Sequence, residues 1–298
     1  MGDFLEDGFE AFKYGFTWIK NIENWKTYLV WILAYFLIFG SIIAIIGVPI
    51  FLSLFSTRQV SPPDLKAGFL LWTLFASLAI VVMFLVFQMF LIAAVTVRSL
   101  TGLGIKAPAV STNKIVDSIF LSIILAFKLY FMWYDFKWFA IFIASLLLIL
   151  LSPLFIIVAF FAYMAYIFAL VYYSVRLSFS LYVFFASENM PASQAIDTSL
   201  ALTNGYFWQI TGRNFIAGLI IGAVFFGLTL VPALIANVID AVIGYSIFSN
   251  LFSAIINPLQ VMTGIYTSAY VYSKVLELNG EKLDRMGASS QMQNKPKK

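Results

Sequence analysis

The chain has 298 residues, 62% hydrophobic and 11% charged, with a formal net charge of +4 and neither cysteine nor histidine. Such a composition lies outside the range of soluble domains, and it excludes disulfides, thiol nucleophiles, zinc–histidine sites and histidine acid–base chemistry. The small charge, gathered mostly at Lys295, Lys297 and Lys298, gives no reason to expect a nucleic-acid partner.

The N-terminus opens with Asp3, Glu6, Asp7 and Glu10, where a cleavable signal would carry positive charge. The first apolar run is therefore expected to act as its own insertion signal. Leu5, Phe9, Phe12, Phe16 and Ile19 recur at intervals of 4, 3, 4 and 3, with Glu6, Asp7, Glu10, Lys13 and Lys20 off that stripe. The spacing predicts an amphipathic helix over 4–20. A second stripe, Ile115, Ile119, Ile123, Phe127 and Tyr130, predicts another over 113–134, and a third amphipathic helix is expected over 191–204. Such helices lie in the headgroup plane or cover the mouths of a bundle.

Between them run uncharged stretches of the ~20 or more apolar residues that a membrane-crossing helix needs. They lack the alternation of barrel strands. Six spans are expected, roughly 27–55, 68–97, 138–152, 154–176, 212–233 and 250–274, with Pro153 dividing the long run from Trp138 to Val175. Ser56–Lys66 reads as a polar turn, 233–249 as an apolar segment at the outer interface, and 281–298 as a disordered tail. The fold class is all-α: a polytopic bundle of three helical hairpins, each preceded by an amphipathic helix. The order of elements repeats three times, and a proline marks each unit at Pro49, Pro153 and Pro232.

All of the 18 Lys and Arg except Arg58 and Lys66 fall on one side of this topology. The positive-inside rule then places both termini in the cytoplasm of a multi-pass cell-membrane protein. Aromatic residues at the predicted span ends, among them Trp18, Trp25, Trp138 and Trp208, suit an interfacial belt.

Few residues are candidates for chemistry. Arg176 follows a long apolar run and precedes another. Two readings are open: it snorkels to headgroups, or it forms a buried ion pair with Glu188, Asp197 or Asp117. The intramembrane polar residues are Gln88, Asn257, Gln260 and Thr263; Asn257 and Gln260 flank Pro258, which removes a helix hydrogen bond. Unwound helices with polar flanks build transporter sites, although single amides more often bond a neighbouring helix. Gly218 and Gly222 form a GxxxG that reads as close helix packing. Gly102-Leu103-Gly104 reads as a turn, and Asp240, on the outer side, is not expected to drive proton transfer. No catalytic residues, cofactor or metal are expected.

From Arg176 to Ile210 an apolar helix ends at Glu188. A Pro191-led helix follows, reading Ala195, Ser199, Leu202-Thr203-Asn204-Gly205, then Trp208. With Pro258, Tyr266, Tyr270 and Tyr272 further on, this stretch resembles the membrane domain associated with glycerophosphodiester phosphodiesterases and the YciC-type inner-membrane proteins. The resemblance implies a six-span bundle with cytoplasmic amphipathic helices and carries no phosphodiesterase activity, which belongs to a separate soluble domain. Ser273-Lys274 stand where that family usually has an acid. The expected function is that of a non-enzymatic scaffold, accessory subunit or lipid-associated factor, in contact with the bilayer and with other membrane proteins or a second copy. The alternative is a small permease with its site near Asn257 and Gln260.

Overall fold

A computed structural model describes residues 2–55, 62–132, 135–152, 155–243 and 247–293. Among the described residues every regular element is helical: α1 (Gly2–Gly15), a 3-10 turn (Thr17–Lys20), α2 (Ile22–Phe55), α3 (Pro62–Gly102), α4 (Thr112–Tyr130), α5 (Phe136–Leu151), α6 (Ile156–Leu177), α7 (Ser180–Ala186), α8 (Ala192–Leu202), α9 (Phe207–Ile243) and α10 (Ile247–Gln293).

Among the described residues three stretches are long and apolar enough to cross a membrane: Leu78–Gly102 in α3, Ile156–Ala186 through α6 and α7, and Phe207–Val242 in α9. Phe136–Ile149 in α5 is apolar but shorter. Along these helices many large apolar side chains point away from the protein. Only 11% of the most apolar window of α9 is buried, and Phe161, Phe168, Phe215 and Phe226 are each at least 64% exposed. A water-soluble domain buries such residues; a surface of this kind belongs in lipid or against another apolar surface.

Burial is concentrated instead where the charged segments meet. There Phe179, Phe184, Phe185, Ile196 and Ile210 are almost fully enclosed, with Tyr182 and Tyr272 packed beside them. We call this the polar end of the bundle. α10 is central to it, touching α1, α2, α3, α8 and α9. Contacts also join α2 to α3, α5 to α6, and α4 to α3, α6, α7 and α8.

Several boundaries differ from those read in the sequence. α9 continues through Pro232 to Ile243, so the segment expected at the outer interface is largely helix. Pro232 is exposed; it removes one helix hydrogen bond and crowds the carbonyl four residues back, yet the helix continues through it. α10 continues to Gln293 where a disordered tail was predicted; Glu281, Lys282, Leu283 and Arg285 are strong helix formers. Residues 294–298, Pro153 and the turn segment 56–61 lie outside the described residues.

The inward face of the first amphipathic helix also departs from the pattern. Gly8, Ala11, Gly15 and Trp18 are the buried positions, while Leu5, Phe9 and Ile19 of the predicted stripe are 43–65% exposed. The small residues let α1 lie directly on α9 and α10. A Cβ added at Gly8 would come within 2.8 Å of Ile216, and one at Gly15 within 2.2 Å of the Thr267 hydroxyl. The GxxxG of α9 does the reverse: Gly218 and Gly222 are exposed, with nothing within 4 Å of an added Cβ. Close helix approach is thus made at glycines of α1, not at that motif.

Candidate functional site

The polar end is held by three arginines, each at a different junction. Arg98 lies near the end of α3. One of its terminal nitrogens donates to the Thr27 hydroxyl at 2.6 Å, the Glu23 carbonyl at 2.8 Å and the Asn24 side-chain oxygen at 3.3 Å. Asn24, fully buried, donates in turn to the Tyr266 hydroxyl at 2.8 Å and the Trp18 carbonyl at 3.2 Å. The Trp18 indole donates to Thr263 at 3.1 Å, and the Tyr14 hydroxyl donates to the Ser99 carbonyl at 2.7 Å. This network sews α1, the start of α2, the end of α3 and α10 together. Burial, with the nearby Tyr266 as a second cause, pushes the Tyr14 phenol well above its usual pKa.

Arg176 closes α6. Its guanidinium donates to the Leu200 carbonyl at 2.9 Å and stacks against Tyr172 at 5.5 Å. Its own carbonyl accepts from Ser199 at 2.8 Å and Thr203 at 3.3 Å. The cation therefore sits at the C-terminal end of α8, where the helix dipole and unpaired carbonyls favour positive charge. The predicted acid partners are elsewhere. Among the described residues Arg176 forms no ion pair, and Asp197, Asp117 and Glu188 are exposed. Glu188 lies close to Lys114, whose ammonium reaches the Ser187 carbonyl and the Phe184 ring. Burial draws Lys114 below the usual lysine pKa, partly offset by Glu188.

The elbow itself is present. α7 ends at Ala186, Pro191 takes the N-cap of α8 with φ −69°, and Gly205 adopts φ +86° in the reversal toward α9. That left-handed backbone is what glycine permits without strain.

Arg213 of α9 provides the third tie. It donates to one Asp7 oxygen at 2.9 and 2.5 Å, and its side chain is only 7% exposed. This pair locks α1 onto α9 at the level of Gly8.

Sequence reasoning singled out Arg176 alone. A signal for Arg98 was available: Val97-Arg98 ends one apolar run as Val175-Arg176 ends another. Nothing in the local sequence pairs Asp7 with Arg213, 206 residues apart.

The amides predicted to lie within the membrane are not brought together. Pro258 is buried inside a continuous α10, while Asn257 and Gln260 are exposed on either side of it and Gln88 is half-buried on α3. Tyr28 donates to the Ile255 carbonyl at 3.2 Å, in the turn that Pro258 loosens. Asn257 lines a cleft of about 320 Å³ with Tyr35, Phe36, Asn250 and Ser253; Gln88 and Gln260 are not part of it. Asp240, 8% exposed, accepts from the Phe248 and Ser249 amides at 2.7 and 2.9 Å and so caps the first turn of α10.

Comparisons of this chain with protein-family models, with curated proteins and with solved structures return no match.

Proposed function

We propose that the chain is a six-span membrane protein built as three hairpins, with both termini and the polar end in the cytoplasm. In this reading it works without catalysis, as a scaffold or accessory subunit that meets partners or headgroups at the polar end. One observation carries the reading: many large side chains are exposed along the apolar helices, while the cluster of Phe179, Phe184, Phe185, Ile196 and Ile210 is enclosed where the charged segments converge. A bundle of this kind is ordered most strongly at the face that meets the cytoplasm. The Arg98 network, the Arg176–α8 contact and the Asp7–Arg213 pair present that face as one fixed surface. The resemblance to the phosphodiesterase-associated membrane domain and the YciC-type proteins is consistent with the α7–α8 elbow and the buried tyrosines of α10.

The test is cross-linking and co-purification in mild detergent. Wild-type protein is expected to retain a partner or a second copy. Arg213→Met, which frees α1, is expected to lose it. Migration as a partner-free monomer under every detergent tried would overturn the scaffold reading.

The cleft at Asn257 supports the permease as a second reading, since polar side chains there line a space of solute size. Asn257→Ala should then abolish uptake by proteoliposomes; unchanged flux would remove this alternative.

A further inference from the structure

A second cavity opens where the start of α5 meets the last turns of α6, with a volume of about 450 Å³. Its walls are Asp135, Trp138, Phe168, Tyr172 and Tyr173, one carboxylate among four aromatic rings. Ala165 and Ala169, one helical turn apart on α6, form a shallow floor. Phe168 beside them is 69% exposed, so the floor is continuous with the outward apolar face of α6.

The carboxylate is held for a purpose other than helix capping. Asp135 occupies the N-cap of α5, yet its side chain caps no amide. Instead one oxygen accepts from the Trp138 indole at 3.0 Å, which fixes the carboxylate against the ring. The other oxygen faces Lys137 at 3.4 Å, with the lysine side chain 67% exposed and Asp135 only 24%. A pair so open to solvent is weak and exchangeable. Arg176 stands one turn beyond Tyr172. The site thus has an anion within an aromatic wall, with the chain's own cations already against it: Lys137 over the Trp138 ring at 5.6 Å and Arg176 over Tyr172.

From this arrangement we infer that the α5–α6 cavity binds the headgroup of an ammonium-bearing zwitterionic phospholipid. Aromatic faces and a carboxylate together recognise an organic ammonium. The lipid ammonium would displace Lys137 from Asp135 and the Trp138 ring, freeing it for the phosphate that follows in such a head, and the Ala165–Ala169 floor would take the start of an acyl chain. A wholly anionic head would place its charge against Asp135. The volume falls in the range of small-ligand sites. The inference rests on the membrane reading above, which puts this end of α5 and α6 at the headgroup layer.

The test is native mass spectrometry of the full chain in detergent. The protein is loaded with equimolar phosphatidylethanolamine, phosphatidylcholine and phosphatidylglycerol of identical acyl chains. One or both ammonium-headed lipids should be retained about tenfold over the glycerol-headed one, a difference of ~1.4 kcal/mol. Asp135→Asn keeps an acceptor for Trp138 and removes the charge; it should bring the ratio to near one, as should Trp138→Leu. Asp197→Asn, an exposed acid on α8, should leave the ratio unchanged. Equal retention of all three lipids by the wild type, or a preference that survives in both cavity variants, overturns the inference. So does displacement of the lipid by water-soluble phosphocholine or phosphoethanolamine at equal concentration, which would make the apolar floor irrelevant. Carbonate extraction separates the two failures: a chain washed from the membrane refutes the membrane reading itself, whereas an inserted chain without headgroup preference refutes only this site.

Discussion

Arg98 and Arg213 carry the same charge, yet they should respond differently to substitution. A single nitrogen of Arg98 meets three oxygens, which is the geometry of a compact ammonium. Arg98→Lys is therefore expected to cost less than about 1 kcal/mol in thermal unfolding in detergent. Arg98→Met, which leaves Asn24 and Thr27 without their donor, should cost roughly 2–3 kcal/mol. Arg213 instead uses two nitrogens on one carboxylate oxygen and is enclosed. Breaking a buried pair by removing one partner destabilises by ~3–5 kcal/mol. With Asp7 partly exposed, Asp7→Asn should fall at or below the lower end of that range. The double variant Asp7→Leu with Arg213→Met should recover much of the loss. A double variant no more stable than either single one would show that the charge pair is not what holds α1. At this scale Arg176 was legible, because an arginine after an apolar run is conspicuous in any sequence. Its partner was not: backbone carbonyls of α8 have no residue type by which to be recognised.

Among the elements, α1 is the most instructive. Its hydrophobic stripe was readable from a 4-3-4-3 spacing, and the helix formed, but the stripe is not the face that packs inward. In water apolar side chains mark the interior; beside lipid they do not, and close packing favours small residues. Gly8, Ala11 and Gly15 make that face. Gly15→Ala should therefore overpack the contact with Thr267 and cost about 1–3 kcal/mol, with faster hydrogen exchange across α1. Gly218→Ala in α9 meets nothing and should be neutral, or stabilising by up to about 1 kcal/mol from helix propensity. Equal losses for the two variants would contradict this assignment of faces. The same logic applies to α4, where Ile115 is buried but Ile123, Phe127 and Tyr130 of the predicted stripe are exposed. In α8 the small residues Ala195 and Ser199 likewise face inward.

For the whole molecule, the helices were legible because uncharged runs of this length leave few other structures available. Their junctions were less so, because Pro232 sits inside a helix without ending it. What the sequence could not reveal is how the charged ends interlock, since Tyr14 with Ser99, Asn24 with Tyr266 and Asp7 with Arg213 are joined only by the fold. These ties give the polar end its fixed shape, and in the proposed topology that end faces the cytoplasm. The absence of native cysteine makes the assignment directly measurable. Single cysteines placed at Ser61 and at Asn204 would be labelled with a membrane-impermeant thiol reagent in intact and in permeabilised cells. With the polar end in the cytoplasm, the Ser61→Cys protein should react in intact cells and the Asn204→Cys protein only after permeabilisation. Labelling of both positions from the same side, or in the reverse order, would contradict it.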